Sequence, residues 1–378
     1  MNLRVGPFRE GTFTSPLHDE RLAAWLGAAL GITITVCFAT GLVSHGIQNP
    51  PSWFTWPSRP VNLYRVTQGL HVMMGIASIP LLLAKLWVVY PHFWTWPILR
   101  GLTSAVERLF VLVLIAGSLL LLSTGVVNIA YWYSVMPFNF VRTHFWTAWL
   151  VVGALVVHIG AKTTTTRAAF SRGRHAPIEG SLTRRGFLVA TGAAAGALAL
   201  TVVGETVAPL KRLAVLAPRR IGTGPQGVPV NKSAAQAGVV KKAKSDNYRL
   251  KIDGKVATPL RLTLADLRAL PQHHADLPIT CVEGWSAAAS WSGPRISDLL
   301  EAAGAEAGAR VTVQSLQKGG SFATSDLEPS HIADPDCLLA LDLGGEALHI
   351  DHGFPARLIA PNRPGVLQTK WVARLEVS

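Results

Sequence analysis

The sequence predicts a membrane α-helical bundle followed by a small mixed α+β, mainly β, domain. Hydrophobic residues make up 49% of the 378 residues and the mean hydropathy is +0.32, although the formal net charge is +13. A soluble protein with so much charge is rarely this apolar. Five apolar segments are long enough to cross a bilayer, which takes roughly 20 residues. They fall near positions 21–45, 68–90, 106–130, 142–162 and 186–208.

Basic residues predict the orientation of these segments. The connection between the fourth and fifth segments carries Lys162, Arg167, Arg172, Arg174, Arg184 and Arg185. The positive-inside rule makes this loop cytoplasmic, so the N-terminus is expected in the cytoplasm and residues after the fifth segment outside it. We therefore expect a multi-pass protein of the inner or plasma membrane. No Lys/Arg-rich stretch is interleaved with aromatic residues, so a nucleic-acid partner is not expected.

Composition shifts along the chain predict its domain organisation. Short strand patterns begin at Tyr248: YRLKIDG, PLRLTL, RVTVQSL, PARLIAP and WVARLEVS, with helical pieces ADLRAL and ISDLLEAAG between them. The stretch before them is rich in Pro, Gly and Lys, as in a linker or wrapping arm. The predicted parts are a cytoplasmic N-terminus (1–20), a four-span domain (21–165), a basic loop (166–185), a fifth span (186–208), a linker (209–246) and an outer domain (247–378).

The entry to the fifth span reads SLTRRGFLVATGAAAGALAL. Its two arginines, Phe-Leu pair and small-residue apolar run resemble a twin-arginine export signal placed inside the chain. An ordinary stop-transfer segment with basic flanks explains the same residues. Both explanations put residues 211–378 outside the cytoplasm.

Histidines in the spans predict haem binding, because ionisable residues inside membranes are costly and usually functional. His144 and His158 lie fourteen residues apart on the fourth span. That spacing is within about 40° of whole helical turns and rises roughly 21 Å, so both imidazoles leave one face, one near each leaflet. This geometry suits two stacked haems, each with an axial histidine on this helix.

Each haem needs a second ligand at matching depth. His71 matches His144 near the outer side, and His18 matches His158 near the inner side. His45 and His92 are reserve candidates on the same two sides. Lys85 shares the helix face of His71 and either neutralises a haem propionate or extends to the interface.

Residues 15–165 resemble the membrane cytochrome b subunits of hydrogenases and formate dehydrogenases in topology and histidine pattern. There, a four-helix bundle holds two b haems between quinone and an external redox subunit. The resemblance implies haem ligand pairs of His18 with His158 and His71 with His144.

The stretch ITCVEGWSAAASWS, at 279–292, contains Cys281, one of three cysteines. A disulfide with Cys337 would be ordinary in an extracytoplasmic domain. A buried hydrophobic thiol is equally ordinary. The wider segment PITCVEGWSAAASWSGPRISDLLEAAG, however, resembles the molybdenum-site segment of the sulfite oxidase family, and CVEGWS is most similar to the branch with the periplasmic methionine sulfoxide reductase catalytic subunit.

The resemblance extends over residues 247–378 through NYRLKIDGKVATPLRLTLADL and HGFPARLIAPNRPGVLQTKWVARLEV. It implies a sulfite-oxidase-like molybdopterin domain in which the Cys281 thiolate, a soft ligand, binds molybdenum. Cationic and amide side chains suit the pterin phosphate. The matching cofactor-binding positions are Asn231, Ser315, His352, Arg357, Gln368, Thr369 and Lys370.

Two departures limit what the resemblance implies. Glu283 stands where sulfite oxidases place a cation-bearing run, which disfavours sulfite as the substrate unless remote arginines supply the charge. The sequence also ends at Ser378, without the β-sandwich dimerisation domain of eukaryotic sulfite oxidases, so the same dimer is not expected. The oligomeric state stays open.

Together, the resemblances imply a membrane-bound molybdenum oxidoreductase with its own cytochrome b. Two haem b groups would exchange electrons between membrane quinone and an outer oxygen-atom-transfer site. Reduction of a small-molecule or protein S-oxide, or of an N-oxide, is expected first, since CVEGWS resembles the reductase branch. The alternatives are oxidation of a small sulfur oxyanion such as sulfite, or a non-enzymatic haem membrane protein with an external binding domain.

Overall fold

The computed structural model describes residues 6–9, 11–51, 53–98, 101–171, 183–320 and 322–378. The chain divides into two compact units. The first comprises Met1–Ala39 and His71–Val202, and the second comprises Thr40–Leu70 and Val203–Ser378. Much of the predicted basic loop, including Arg172 and Arg174, lies outside the described residues.

Five helices in the described residues are long and apolar enough to cross a membrane. They are α1 (Glu20–Gln48), α2 (Leu63–Val89), α3 (Leu102–Ile129), α4 (Phe140–Ser171) and α5 (Arg184–Val203). Each matches a predicted span, although the bounds shift: α4 runs nine residues further and α5 ends five residues earlier. Hydropathy marks only the apolar part of a helix, which explains why α4 continues through its threonines.

Large apolar side chains on these helices point outward. Ile32, Leu112 and Val156 are 66%, 63% and 64% exposed. A helix that is apolar all round requires an apolar environment on every side. Where α3 packs on α4, a Cβ added to Gly117 would lie 2.5 Å from Val151, so the glycine permits close approach of the two helices.

The second unit carries the β-rich part of the chain. Its elements after α5 are α6 (Val240–Ala243), β1 (Leu250–Gly254), β2 (Leu260–Leu262), α7 (Leu264–Ala269), β3 (His273–Thr280), β4 (Ser286–Gly293), α8 (Ile296–Ala302), β5 (Val311–Ser315), β6 (Thr324–Leu327), α9 (Pro329–Ile332), β7 (Leu338–Ala340), β8 (Asp342–Leu343), β9 (Glu346–Ala347), β10 (Arg357–Ile359) and β11 (Val372–Val377). The five predicted strands and both predicted helices are present.

The strands form three sheets, ordered β2-β1-β11-β5-β6, β3-β4-β8-β9 and β10-β7. Strands β1 and β11 are parallel, and every other named pair is antiparallel. One hydrophobic core lies against the five-stranded sheet around Ile252, Val313 and Leu375. A second core packs on the β3–β4 pair around Leu277 and Trp291.

The strand pair β3–β4 is the longest in the described sheets, and the sequence patterns above missed it. Ala275, Leu277 and Ile279 alternate inward along β3, a period-two signal. Two histidines, Asp276 and Pro278 interrupt that signal and are typical of a loop or an edge strand. This pair positions the cysteine that follows it.

Candidate functional site

Cys281 lies in the turn that joins β3 to β4. Its backbone N–H donates to the Trp285 carbonyl at 2.9 Å, and the Gly284 N–H donates to the Cys281 carbonyl at 3.1 Å. Gly284 has φ +113°, in the left-handed region that favours glycine. At the base of the turn the hydroxyls of Thr280 and Ser286 are 2.7 Å apart. The two strands therefore hold the thiol in one place.

A small cavity lies against this turn. Its lining brings together five residues that the sequence predicts as ligands: Cys281, Asn231, His352, Arg357 and Lys370. These five positions are up to 139 residues apart in the chain, since residue 231 and residue 370 are both members. The other lining residues are Pro229, Ile279, Trp285 and Gly365.

The disulfide alternative does not hold in the structure. Cys281 and Cys337 are both free. Each is buried, but they belong to different hydrophobic cores, with Cys337 packed beside the five-stranded sheet. Burial and the neighbouring Glu283 carboxylate raise the pKa of the Cys281 thiol, which therefore stays protonated until a cation approaches.

Two basic side chains reach the cavity from the C-terminal part of the chain: Arg357 from β10 and Lys370 from the residues just before β11. Lys370 Nζ donates to Asn231 Oδ1 at 3.1 Å, to the Lys232 carbonyl at 2.5 Å and to the Asp351 carbonyl at 3.0 Å. Arg357, only 3% exposed, donates through one Nη to the His352 carbonyl at 3.1 Å, while its Nε is buried without a partner. Burial lowers the pKa of Arg357 to about 9 and that of Lys370 well below its usual value.

His352 is fixed next to them. Its Nε2 lies 2.8 Å from the Pro225 carbonyl, and burial lowers the pKa of the imidazole to about 4. The ring is therefore neutral near pH 7 and donates from Nε2 to that carbonyl.

Three of the predicted residues lie behind the lining rather than in it. The Ser315 hydroxyl donates to the Lys370 carbonyl at 2.7 Å, and the Thr369 hydroxyl lies 2.7 Å from that of Ser325. Gln368 donates to the Arg363 carbonyl at 3.0 Å, and its own Oε1 is buried without a partner. These side chains support the backbone that presents Lys370.

Sequence reasoning missed a cation beside the turn. Arg219 donates to Glu283 Oε1 at 2.6 Å and to the Asn231 carbonyl at 3.0 Å. The indole of Trp285 donates to Glu283 Oε2 at 3.1 Å. Arg219 thus neutralises the acidic residue that follows the cysteine. Its place in a stretch with the composition of a linker gave no sign of this role.

A second buried carboxyl, Glu205, was also missed. Its backbone carbonyl accepts from the Ser286 N–H at 2.9 Å, while its side-chain Oε1 is buried without a partner. Burial and the nearby Glu283 raise its pKa to about 9. Glu205 follows a small-residue apolar run, where sequence alone suggests only the end of a helix.

The donor set fits an anionic group that carries a soft metal. The cavity has a thiol with no disulfide partner, a buried guanidinium with an unused Nε–H, and an ammonium held at its edge. An anion would restore the charged forms that burial disfavours in Arg357 and Lys370. A metal cation would favour the Cys281 thiolate.

Comparison with known proteins decides what this part of the chain is. Residues 237–378 match the family described as "Oxidoreductase molybdopterin binding domain". This segment is a molybdopterin-binding oxidoreductase domain. The match supports an enzyme rather than a purely binding domain, and it makes molybdenum the expected metal.

Three relatives show how broad the molybdopterin-binding family is. The nitrate reductase [NADH] of Ulva prolifera is 30% identical over an alignment of 172 positions that covers 37% of this chain and 20% of that protein. The sulfite oxidase of Arabidopsis thaliana is 27% identical over an alignment of 164 positions that covers 35% of this chain and 42% of that protein. The putative protein-methionine-sulfoxide reductase subunit YedZ1 of Azospira oryzae is 30% identical over 139 residues, which cover 37% of this chain and 52% of that protein. The matches thus span from a fifth to about half of these relatives.

In the helical unit, the structure brings His71 and His144 together. Their ring centroids are 6.2 Å apart with the planes at 67°. The Nδ1 of His71 lies 2.8 Å from the Cys37 carbonyl, and the Nδ1 of His144 lies 3.1 Å from the Thr124 hydroxyl. Both Nδ1 atoms are engaged, so each ring keeps its Nε2 for another partner.

The predicted inner histidines have different surroundings. His18 lies two residues before α1, its Nδ1 is 3.1 Å from the Val88 carbonyl, and its ring centroid is 4.7 Å from that of Trp87. His158 has a buried Nδ1 without a hydrogen-bond partner. Lys85 donates to the Ala23 carbonyl at 2.5 Å, so its ammonium is held by the protein backbone.

Proposed function

We propose that this chain is a membrane-bound molybdenum oxidoreductase that exchanges electrons between membrane quinone and an extracytoplasmic oxygen-atom-transfer site through two b haems. Its preferred reaction would be reduction of an S-oxide or N-oxide. The observation that carries the proposal is the cavity that joins a fixed, unpaired Cys281 thiol to Arg357 and Lys370 in a molybdopterin-binding domain.

When bound, the molybdenum–pterin group supplies two-electron oxygen-atom transfer. In our proposal, Cys281 binds the metal from the β3–β4 turn. Arg357 would donate its free Nε–H to the pterin phosphate, and Lys370 would add positive charge from the lining of the cavity. His352, Gln368, Thr369, Ser315 and Asn231 hold these cations and the adjoining backbone in position.

Haem binding is supported most directly by the His71–His144 pair. The two imidazole centroids lie 6.2 Å apart, and both rings would hold one haem iron through Nε2. The Nδ1 contacts to the Cys37 carbonyl and Thr124 are of the kind that orient metal-bound histidines. We propose His18 and His158 as ligands of the inner haem from their spacing and their predicted depth.

The membrane location is supported by the five apolar helices and their exposed large side chains. Export with a bound cofactor through the twin-arginine-like entry to α5 is part of the same proposal. Arg184 and Arg185 open that helix.

A second candidate reaction is oxidation of a small sulfur oxyanion such as sulfite. The Arg219–Glu283 contact favours it, because the ion pair offsets the negative charge that makes Glu283 unfavourable for an anionic substrate. Arg357 and Lys370, which line the cavity, would also favour an anionic substrate.

One experiment tests the proposal and separates the two directions. The purified chain, loaded with molybdenum cofactor and haem, is reduced with a quinol analogue, and haem absorbance is followed after adding methionine sulfoxide, trimethylamine N-oxide or sulfite. Reoxidation by an S-oxide or N-oxide is the expected result. Haem reduction by sulfite in the oxidised protein favours the second candidate. No haem absorbance change with any compound, in a protein that contains both cofactors, contradicts both.

A further inference from the structure

The segment after α5, residues 207–216, exposes large apolar side chains in an unusual arrangement. Leu213, Val215 and Leu216 are 44%, 66% and 55% exposed, whereas Ala214 between them is fully buried. Soluble proteins rarely expose several large apolar side chains next to one another. Here the small residue faces inward and the large residues face outward.

Local contacts fix this arrangement. The Leu210 N–H donates to the Val207 carbonyl at 2.9 Å, within a 3-10 helix over Ala208–Leu213. The Ala214 carbonyl accepts from Arg220 Nη1 at 3.2 Å. The outward direction of Leu213, Val215 and Leu216 is therefore built into the fold.

The segment also folds back against the end of α5. A Cβ added to Gly204, the first residue beyond the helix, would collide with the Leu210 carbonyl and lie 3.1 Å from the Ala214 nitrogen. Only a residue without a side chain permits this approach. The backbone at Leu210 and Ala214 consequently packs on Gly204, which directly follows α5.

Cations accompany the apolar residues. Lys211 and Arg212 are exposed in the last turn of the 3-10 helix. Apolar side chains flanked by Lys and Arg are typical of segments that lie in the interface of a membrane, where the cations meet lipid phosphates.

We propose that residues 207–216 form an interfacial anchor: Leu213, Val215 and Leu216 insert into the headgroup region of the bilayer, and Lys211 and Arg212 bind acidic lipid phosphates. The inference rests on the proposed membrane location of α5. It adds that the segment between α5 and the molybdopterin-binding domain has its own lipid contact at the place where the chain leaves the membrane.

The test uses the full chain in nanodiscs of phosphatidylcholine and phosphatidylglycerol, with a maleimide fluorophore on one introduced cysteine at a time. Val215→Cys and Leu216→Cys report on the anchor, and Glu346→Cys, exposed on β9, is the matched control. Leu200→Cys, 49% exposed on α5, reports separately on membrane insertion. The unsubstituted chain gives the background from Cys37, Cys281 and Cys337.

Nitroxide-bearing lipids should quench the labels at 200, 215 and 216 roughly twofold or more, because the apolar face of an interfacial segment lies about 5–10 Å into the headgroup boundary. The label at 346 should keep its emission. Quenching at 200 without quenching at 215 and 216 overturns the anchor and leaves the membrane location intact. Absence of quenching at 200 overturns the membrane location itself.

Lipid charge tests the role of the cations. More phosphatidylglycerol should increase quenching of Leu216→Cys, and the added pair Lys211→Glu and Arg212→Glu should abolish the increase. If quenching in the chain that keeps Lys211 and Arg212 does not change with the phosphatidylglycerol content, these residues do not bind lipid phosphate.

Discussion

The Arg219 guanidinium lies 2.6 Å from the Glu283 carboxylate, two residues after Cys281, and both side chains are largely buried. Burial raises the pKa of Glu283, and Arg219 opposes that rise. The contact places a neutralised pair, rather than a lone negative charge, beside the proposed molybdenum ligand. The charge of the second residue after the cysteine is therefore an unsafe guide to substrate in this chain.

Replacing Arg219 with Met should destabilise the second unit, because it leaves the Glu283 carboxylate buried without its cation. Breaking a buried pair from one side typically costs about 3–5 kcal/mol. Thermal unfolding in detergent should show a clear drop in Tm for Arg219→Met. Adding Glu283→Gln should recover most of the loss. An unchanged Tm in the single variant contradicts a buried pair.

Glu205→Gln should change how stability depends on pH. The folded-state pKa of Glu205 is raised to about 9 by burial and by Glu283, above its ordinary 4.5. Below the ordinary value both states hold the proton. Between about pH 5 and 9 the unfolded chain releases it first, so wild-type stability falls as pH rises. The difference in Tm between Glu205→Gln and the wild type should therefore grow in favour of the variant over this range. If the Tm of Glu205→Gln and the Tm of the wild type change with pH in parallel, the raised pKa of Glu205 is contradicted.

Arg357→Met should separate cofactor binding from folding. The guanidinium is buried with an unused Nε–H, and burial lowers its pKa to about 9, so the chain without cofactor gains little from it. Protein made without molybdenum cofactor should keep or raise its Tm, while protein made with the cofactor should lose bound pterin. Arg374→Met is the matched control. This arginine lies on β11 and does not line the cavity, so the variant should keep its pterin. Full pterin content in Arg357→Met shows that this residue is not needed to hold the cofactor.

His71→Ala and His144→Ala should each remove the outer haem and spare the inner one. The two imidazoles are proposed as ligands of one iron, so a pyridine haemochrome assay should fall by about half in either variant. His92→Ala, which removes a reserve candidate, should retain full haem. Retained haem in both His71→Ala and His144→Ala, or loss in His92→Ala, contradicts the ligand assignment.

Much of this architecture is readable from the sequence. The five apolar segments are marked by their length and hydropathy and the five strands of the second unit by their apolar patterns, and the structure contains them. Hydropathy predicted the end of α5 five residues too late, because Val207 and Ala208 extend the apolar segment although the helix ends at Val203. Strand β3 was missed because polar residues interrupt its inward alternation of Ala275, Leu277 and Ile279.

The resemblance supplied residues that the structure brings together, and their role in holding a cofactor stays a prediction. Cys281, Asn231, His352, Arg357 and Lys370 do meet at one cavity, although no local pattern links them. Arg219 and Glu205 lay beyond prediction, because their roles come from long-range contacts with the Cys281 turn. Buried partners of this kind become visible only once the chain is folded.

The most direct test of the central claim is molybdenum X-ray absorption on the wild-type chain and on Cys281→Ser, with Cys337→Ala as the matched control. Both cysteines are buried and free, but only Cys281 lines the cavity. The account predicts that Cys281→Ser has one fewer sulfur bound to molybdenum and loses substrate turnover, while Cys337→Ala matches the wild type. An unchanged sulfur shell and unchanged turnover in Cys281→Ser would contradict it.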